Sequence, residues 1–307
     1  MNIEANVVHE SLPESPGMAP AALSATRPMY WSIRRELWEN RSIYIAPLAV
    51  ATVFLVGFLV SLSGLPQRMR FSIAFHAANQ RTPIEVPYDV AEGMIMGAAL
   101  MVQIFYCLDA LHGERRDRSI LFWKSVPVSD LTTVLSKASI PVIVLAVSFA
   151  ITVATQLIAL LLSSAVLAGS GMSAGPLWMQ VRLFERSWGL FYHLTTVHTL
   201  WYAPIYAWLL LISVWARRVP LLWAVLPPFA IGLVEKVAFN TSHFAGWIIY
   251  RFSGPEPFTF SQPWNGPMSM QPHSGGFFTT PGLWLGLVAA AAFLAAAVRM
   301  RRNRGPI

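Results

Sequence analysis

Charge is what this sequence has least of. Only 12% of its 307 residues are Asp, Glu, Lys or Arg, while 55% are hydrophobic and the mean hydropathy is +0.52. Ordinary soluble domains carry roughly 25% charged residues. Cysteine is almost absent too: Cys107 is the single one, which excludes a disulfide framework and a multi-cysteine metal site. No Gly-x-x-x-x-Gly-Lys-Ser/Thr phosphate loop occurs, and the three lysines, Lys124, Lys137 and Lys236, follow Trp, Ser and Glu. The chain therefore holds no nucleotide in that manner. No His-Glu-x-x-His, Gly-x-Ser-x-Gly or paired-carboxylate motif points to a hydrolase, and no catalytic residue is assigned. His193 and His198 stand five apart, off the three- or four-residue spacing that puts two ligands on one helical face, so no metal is expected.

What is there is a set of long uncharged runs. Asp, Glu, Lys and Arg are missing from 26 consecutive residues after Arg41, 44 after Lys137, 30 after Arg186 and 42 after Glu256. A helix crossing the hydrocarbon core needs ~20 mostly apolar residues. The reading is an all-α integral membrane protein with six transmembrane helices, a six-helix domain over 43–300. The expected spans are Ile43–Ser63, Glu92–Leu111, Ser139–Ala168, His198–Ala216, Val219–Ala238 and Gly282–Val298. Asp109 falls near one end of the second, and Pro227-Pro228 lie in the fifth.

Residues 1–28 have no Lys or Arg before Arg27, no long apolar run and five Pro or Gly after Leu12, which reads as a disordered tail and not a signal peptide. Residues 29–42 read as an interfacial elbow helix lying on the membrane. Tyr30, Trp31, Ile33, Leu37 and Trp38 fall on one arc, with Arg35, Glu36 and Glu39 opposite. Arg34 and Arg41 interrupt the arc as snorkelling side chains would.

A net charge of +7 raises the possibility of nucleic acid, but in a chain of this hydropathy a basic excess marks cytoplasmic loops. With the N-terminus inside, fifteen Lys and Arg fall in inner segments, including the basic tail 301–307, and seven fall outside. The expectation is a multi-pass protein of the cell's inner (cytoplasmic) membrane with both termini cytoplasmic. Two outer segments are long. Residues 169–197 suit an interfacial amphipathic helix. Residues 239–281, before the last helix, are rich in Pro, Gly and aromatics, and suit an outward lid of short helices and turns. Glu235 and Lys236 stand at the outer end of the fifth span, where they either steer the chain into that segment or border a substrate path.

The inner loop 112–137 is the most informative stretch. Glu114, Arg115, Arg116, Asp117 and Arg118 form a dense mixed-charge cluster, followed by Ile120, Leu121, Phe122 and Trp123. Pro127 then breaks the helix and Ser129 can cap the next one. A short charged helix with an apolar flank suits docking on a soluble partner; a solvated loop that only fixes topology is the alternative.

This loop resembles the first cytoplasmic loop of ABC-type-2 transporter permeases, in which a glutamate and arginine followed by Ser or Thr lead, after an apolar stretch, to a Pro-x-Ser opening the third span. Here the matching residues are Glu114 to Ser119 and Pro127-Val128-Ser129. The elbow helix, six spans, short basic loop at Arg217-Arg218 and long outer segment before the last span fit the same pattern, although the long 169–197 segment departs from many members. The resemblance implies half of a transporter. A second permease copy and two ATP-binding subunits would complete it, with ATP and Mg on those partners and none on this chain. Glu114 to Arg118 would form the coupling helix, Pro127 and Ser129 the hinge into the third span, and Trp31, Arg34, Arg35 and Trp38 part of the elbow. Glu114→Arg is then expected to loosen that complex while leaving the spans folded. The competing readings are a secondary transporter or channel working without ATP, and a membrane anchor that moves nothing.

Overall fold

The computed structural model describes residues 26–74, 84–125, 128–253, 277–303 and 305. The expected tail before 26, the hinge residue Pro127 and most of the proline-rich stretch before the last helix lie outside those residues. Every regular element among them is helical.

Helix α1 (Thr26–Glu39) stops at Asn40, and α2 (Ser42–Ser61) starts after a one-residue turn. A 3₁₀ turn at Leu62–Gly64 leads into α3 (Leu65–Ala74), so the apolar rod runs as one helical body to Arg70. Next come α4 (Val86–Asp109) and two short helices, α5 (His112–Arg116) and α6 (Ile120–Ser125). Helix α7 (Asp130–Gly169) starts where expected: the Ser129 hydroxyl accepts a hydrogen bond from the Thr132 amide at 3.1 Å, satisfying one of the unpaired donors of the first turn. Its 40 residues make a rod of about 60 Å, twice a hydrocarbon core of about 30 Å, so both ends reach beyond the bilayer.

The expected amphipathic segment is two helices, α8 (Gly175–Val181) and α9 (Leu183–His193), with Arg182 in the left-handed region between them. Helix α9 widens into π-type turns over Leu194–Trp201. It meets α10 (Ala203–Trp215) at a 47° bend, where Pro204 begins the new helix without an amide donor. The expected fourth span is thus a bent pair and not one straight helix. Helices α11 (Pro220–Phe239), α12 (His243–Ser253) and α13 (Pro281–Asn303) complete the chain. Among the described residues five helices are long and apolar enough to cross a membrane, or six if the bent pair is one span. The chain is a multi-pass, all-helical membrane protein.

Two clusters of buried side chains sit at opposite ends of α7. One gathers Ile43, Tyr106, Leu111, Val134, Ile140 and Leu210 near its start; the other gathers Phe58, Leu62, Tyr88, Leu160 and Leu177 near its finish. Helix α11 packs differently, with Ala224 its one buried residue and Leu222, Val225, Phe229 and Val237 turned outward. A helix apolar all round and barely covered by protein is stable only in lipid.

Candidate functional site: a buried ionic frame at one end of the bundle

The charges that do occur are concentrated. At the start of α7 three carboxylates and three cations from four helices meet. The Lys137 ammonium lies 2.7 Å from the Glu36 carboxylate and 3.2 Å from that of Glu114. Arg35 reaches Glu36 at 3.1 Å and Glu114 at 3.3 Å. Arg301, in the last turns of α13, lies 3.1 Å from Glu114 and 2.5 Å from Asp130. Tyr106 of α4 donates its hydroxyl to the second Glu36 oxygen at 2.8 Å. Glu36, Lys137 and Arg301 are 3%, 2% and 3% exposed.

Such burial is costly for each ion alone, and charge balance with nearly complete hydrogen bonding is what makes it tolerable. Three negative charges meet three positive within the frame, and the exposed Glu39 adds a further carboxylate on Arg35 at 3.1 Å. Glu114 is the hub, shared by Lys137, Arg35 and Arg301.

The short helix α5 is fastened by a second set of bonds. Its first amides have no partner within so short a helix, and the buried Ser213 hydroxyl of α10 accepts from both Leu111 and His112, at 2.9 and 2.8 Å. Arg115 turns the other way, donating to the carbonyls of Val214 and Ala216 and, at 3.2 Å, to that of Gly305. Those first two oxygens belong to the end of α10, where helical carbonyls are left over and the dipole favours a cation.

The five residues read from sequence as one docking cluster therefore divide. Glu114 and Arg115 are buried structural ties. Arg116, Asp117 and Arg118 face outward, Arg116 pairing with Asp117 at 3.0 Å and approaching Asp109 at 3.9 Å. Arg118 occupies the left-handed region at φ 58°, where the chain turns sharply into α6. Beyond the turn Leu121 and Phe122 are exposed, and Trp123 lies under the Arg35 guanidinium at 3.6 Å. Pro127 is outside the described residues; Ser129 caps α7.

The elbow residues also divide, and the expected single arc is corrected. Ile33 and Leu37 pack on the core beside buried Glu36, whereas Tyr30, Trp31 and Trp38 face away from the protein with Arg34. Glu36 had been placed on the polar side, and its burial is explained by Lys137 opposite. Glu235 at the far end of α11 accepts from the Thr241 hydroxyl and from the amides of His243 and Phe244, at 2.8, 2.7 and 2.8 Å. It caps α12 and steers the chain into it, while Lys236 is exposed.

The opposite end carries a smaller polar group that sequence reading passed over. Arg186 of α9 lies 2.6 Å from Asp89 and 3.5 Å from Glu92, and Gln156 of α7 donates to Glu92 at 3.3 Å. A cavity of about 10 Å³, close to the room one water needs, lies at the same end of the bundle between Tyr88, Ser163 and Arg68. The signal for both groups was available: Lys137, Glu92 and Arg186 are ionisable residues inside or beside long apolar helices. Among the described residues no group of three or more His, Cys, Asp or Glu is placed to hold a metal.

Comparison with protein-family models, with curated proteins and with solved structures finds no match to this chain.

Proposed function

We propose that the chain is the transmembrane permease subunit of an ATP-driven exporter, with six spans counting the bent pair, both termini in the cytoplasm of a cell whose inner membrane it occupies, and a second copy beside it. The ATPase, with its ATP and Mg, would be a separate chain. The observation that carries this reading is mechanical. The tip, with Arg116, Asp117, Arg118, Leu121 and Phe122 turned outward, is mounted on Glu114 and Arg115, which are bound into α1, α7, α10 and α13 at once. A push on the tip would reach several spans without passing through flexible chain. Charged and apolar side chains side by side also suit a protein contact.

The test is affinity purification of the tagged chain from its own cells. An ATPase subunit in stoichiometric amount is expected, and Arg116→Glu with Phe122→Asp should release it while the permease keeps its thermal stability. Recovery of a folded, transport-competent chain free of any ATPase would remove the reading.

One observation favours a second reading, transport driven by an ion gradient: Glu92 is a largely buried carboxylate among apolar helices. Transport surviving ATP depletion, and lost on collapsing the proton gradient and in Glu92→Gln, would select it.

A further inference from the structure

Two neighbouring arginines of α1 point in opposite directions. Arg35 turns into the ionic frame. Arg34 turns outward, its guanidinium carbon 5.2 Å from the ring centroid of Trp31 and 5.2 Å from that of Trp38. Positions 31, 34 and 38 are spaced three and four apart, so the two indoles and the cation form one stripe along the helix. Trp31 and Trp38 are 58% and 70% exposed, and Tyr30 stacks edge-on against Trp31 at 5.4 Å. The inward face of α1 is already occupied by its packing on the core. Among the described residues Arg34 makes no ion pair and no hydrogen bond.

The charge around the stripe is one-sided. Glu36 is buried inward, and Glu39 is held by Arg35 at 3.1 Å. Arg41, just past the end of the helix, is exposed. Among the described residues the outward side thus offers the Arg34 guanidinium, with the exposed Arg41 following the helix, and no uncommitted carboxylate. A guanidinium that stacks on aromatic rings keeps its N–H donors in its own plane, in the fork that matches phosphate oxygens. Indole and phenol rings settle at the depth of lipid headgroups. Helix α1 lies at the right level: Glu36 bonds Lys137, two turns into a helix whose ends extend beyond the bilayer, and α2 enters the membrane directly after Arg41.

We propose that the outward stripe of α1, centred on Arg34 between Trp31 and Trp38, is a binding site for the phosphate headgroup of an anionic phospholipid in the leaflet at that end. The site requires only that the chain sit in a bilayer and is independent of what it transports. A zwitterionic lipid presents the same phosphate with an added cation that Arg34 and Arg41 repel, so selectivity for net negative headgroups follows. Because Glu36 is on the same helix, a bound lipid would also hold α1 against the ionic frame.

The test uses the full-length chain in detergent, titrated with phosphatidylglycerol or phosphatidylcholine, with bound lipid counted by native mass spectrometry. Phosphatidylglycerol should bind more tightly by about fivefold per basic residue engaged. Arg34→Gln and Trp38→Leu should each lose most of this preference, and Arg34→Lys should keep part of it. Arg299→Gln removes an exposed arginine from the same end of the molecule and should leave the preference intact. All three α1 variants alter outward side chains, so unchanged thermal midpoints are expected and separate loss of the site from loss of the fold. Equal binding of the two lipids by the wild-type chain, or undiminished preference in both folded variants, would overturn the proposal. Displacement of the lipid by millimolar inorganic phosphate would show a free-anion site and overturn it as well.

Discussion

Lys137 is a single ammonium group two turns inside a 40-residue apolar helix, and it decides how that end of the bundle is assembled. Removing one member of a buried ionic group leaves its partners uncompensated, at a cost of ~3–5 kcal/mol. Lys137→Met should therefore lower stability by about that amount in thermal or denaturant unfolding, and Glu36→Gln should restore part of it by removing one orphaned charge. Additive losses in the double variant would show that the two residues do not interact. Glu114 is the residue at which the structure most changes the expectation. As a docking residue its reversal would weaken a complex and spare the spans. As the hub of three cations, Glu114→Arg should instead lower the yield and thermal midpoint of the chain itself, in the absence of any partner. Retention of full stability in the isolated variant would return Glu114 to the surface role.

At the scale of the element, proline chemistry explains how α11 stays attached while so little of it is covered. Pro228 has no amide to give the carbonyl of Ala224, four residues earlier, and that oxygen instead accepts from the Trp208 indole of α10 at 3.1 Å. Such an interhelical hydrogen bond contributes about 0.6–2 kcal/mol in membranes. Trp208→Phe is expected to weaken the α10–α11 contact by that order. In a Pro228→Ala background, where the helix supplies the missing donor, the same substitution should cost markedly less. A cost that does not depend on residue 228 would refute the pairing, and unfolding of the wild type and the three variants in one detergent measures it. The bend before α10 has a similar origin. Pro204 was visible in the sequence, but the widened turns before it have no residue signature, which is why a straight span from His198 was expected where the chain is bent.

At the scale of the molecule, topology is the prediction that organises the rest. Asp117, just past α5, and Met179 on α8 are both exposed and lie near opposite ends of α7. Cys107 is buried, so the native thiol stays silent. Asp117→Cys should resist an impermeant maleimide in intact cells and react once the membrane is opened, whereas Met179→Cys should react from outside. The reverse pattern would invert the orientation and place the ionic frame on the outer side.

That the chain enters a membrane was legible from the sequence, because a run of twenty or more apolar residues has one low-energy environment whatever it packs against. The cap at Ser129 was legible for a similar reason, since the bond it makes is to an amide three residues away. Residues joined by long separations were not legible. Glu36 and Lys137 are 101 positions apart, and Arg301 and Glu114 187 apart. Nothing local distinguishes a carboxylate that will meet a cation in the core from one that will stay in water. Periodicity placed Trp31 and Leu37 on one broad arc of α1. Only the packing of α1 against α7 divided that arc, burying Leu37 with Glu36 and leaving Trp31, Arg34 and Trp38 to the surroundings. Hydropathy acts along the chain and is written in it; the pairing of buried charges depends on which helices become neighbours, and the tertiary structure alone decides that.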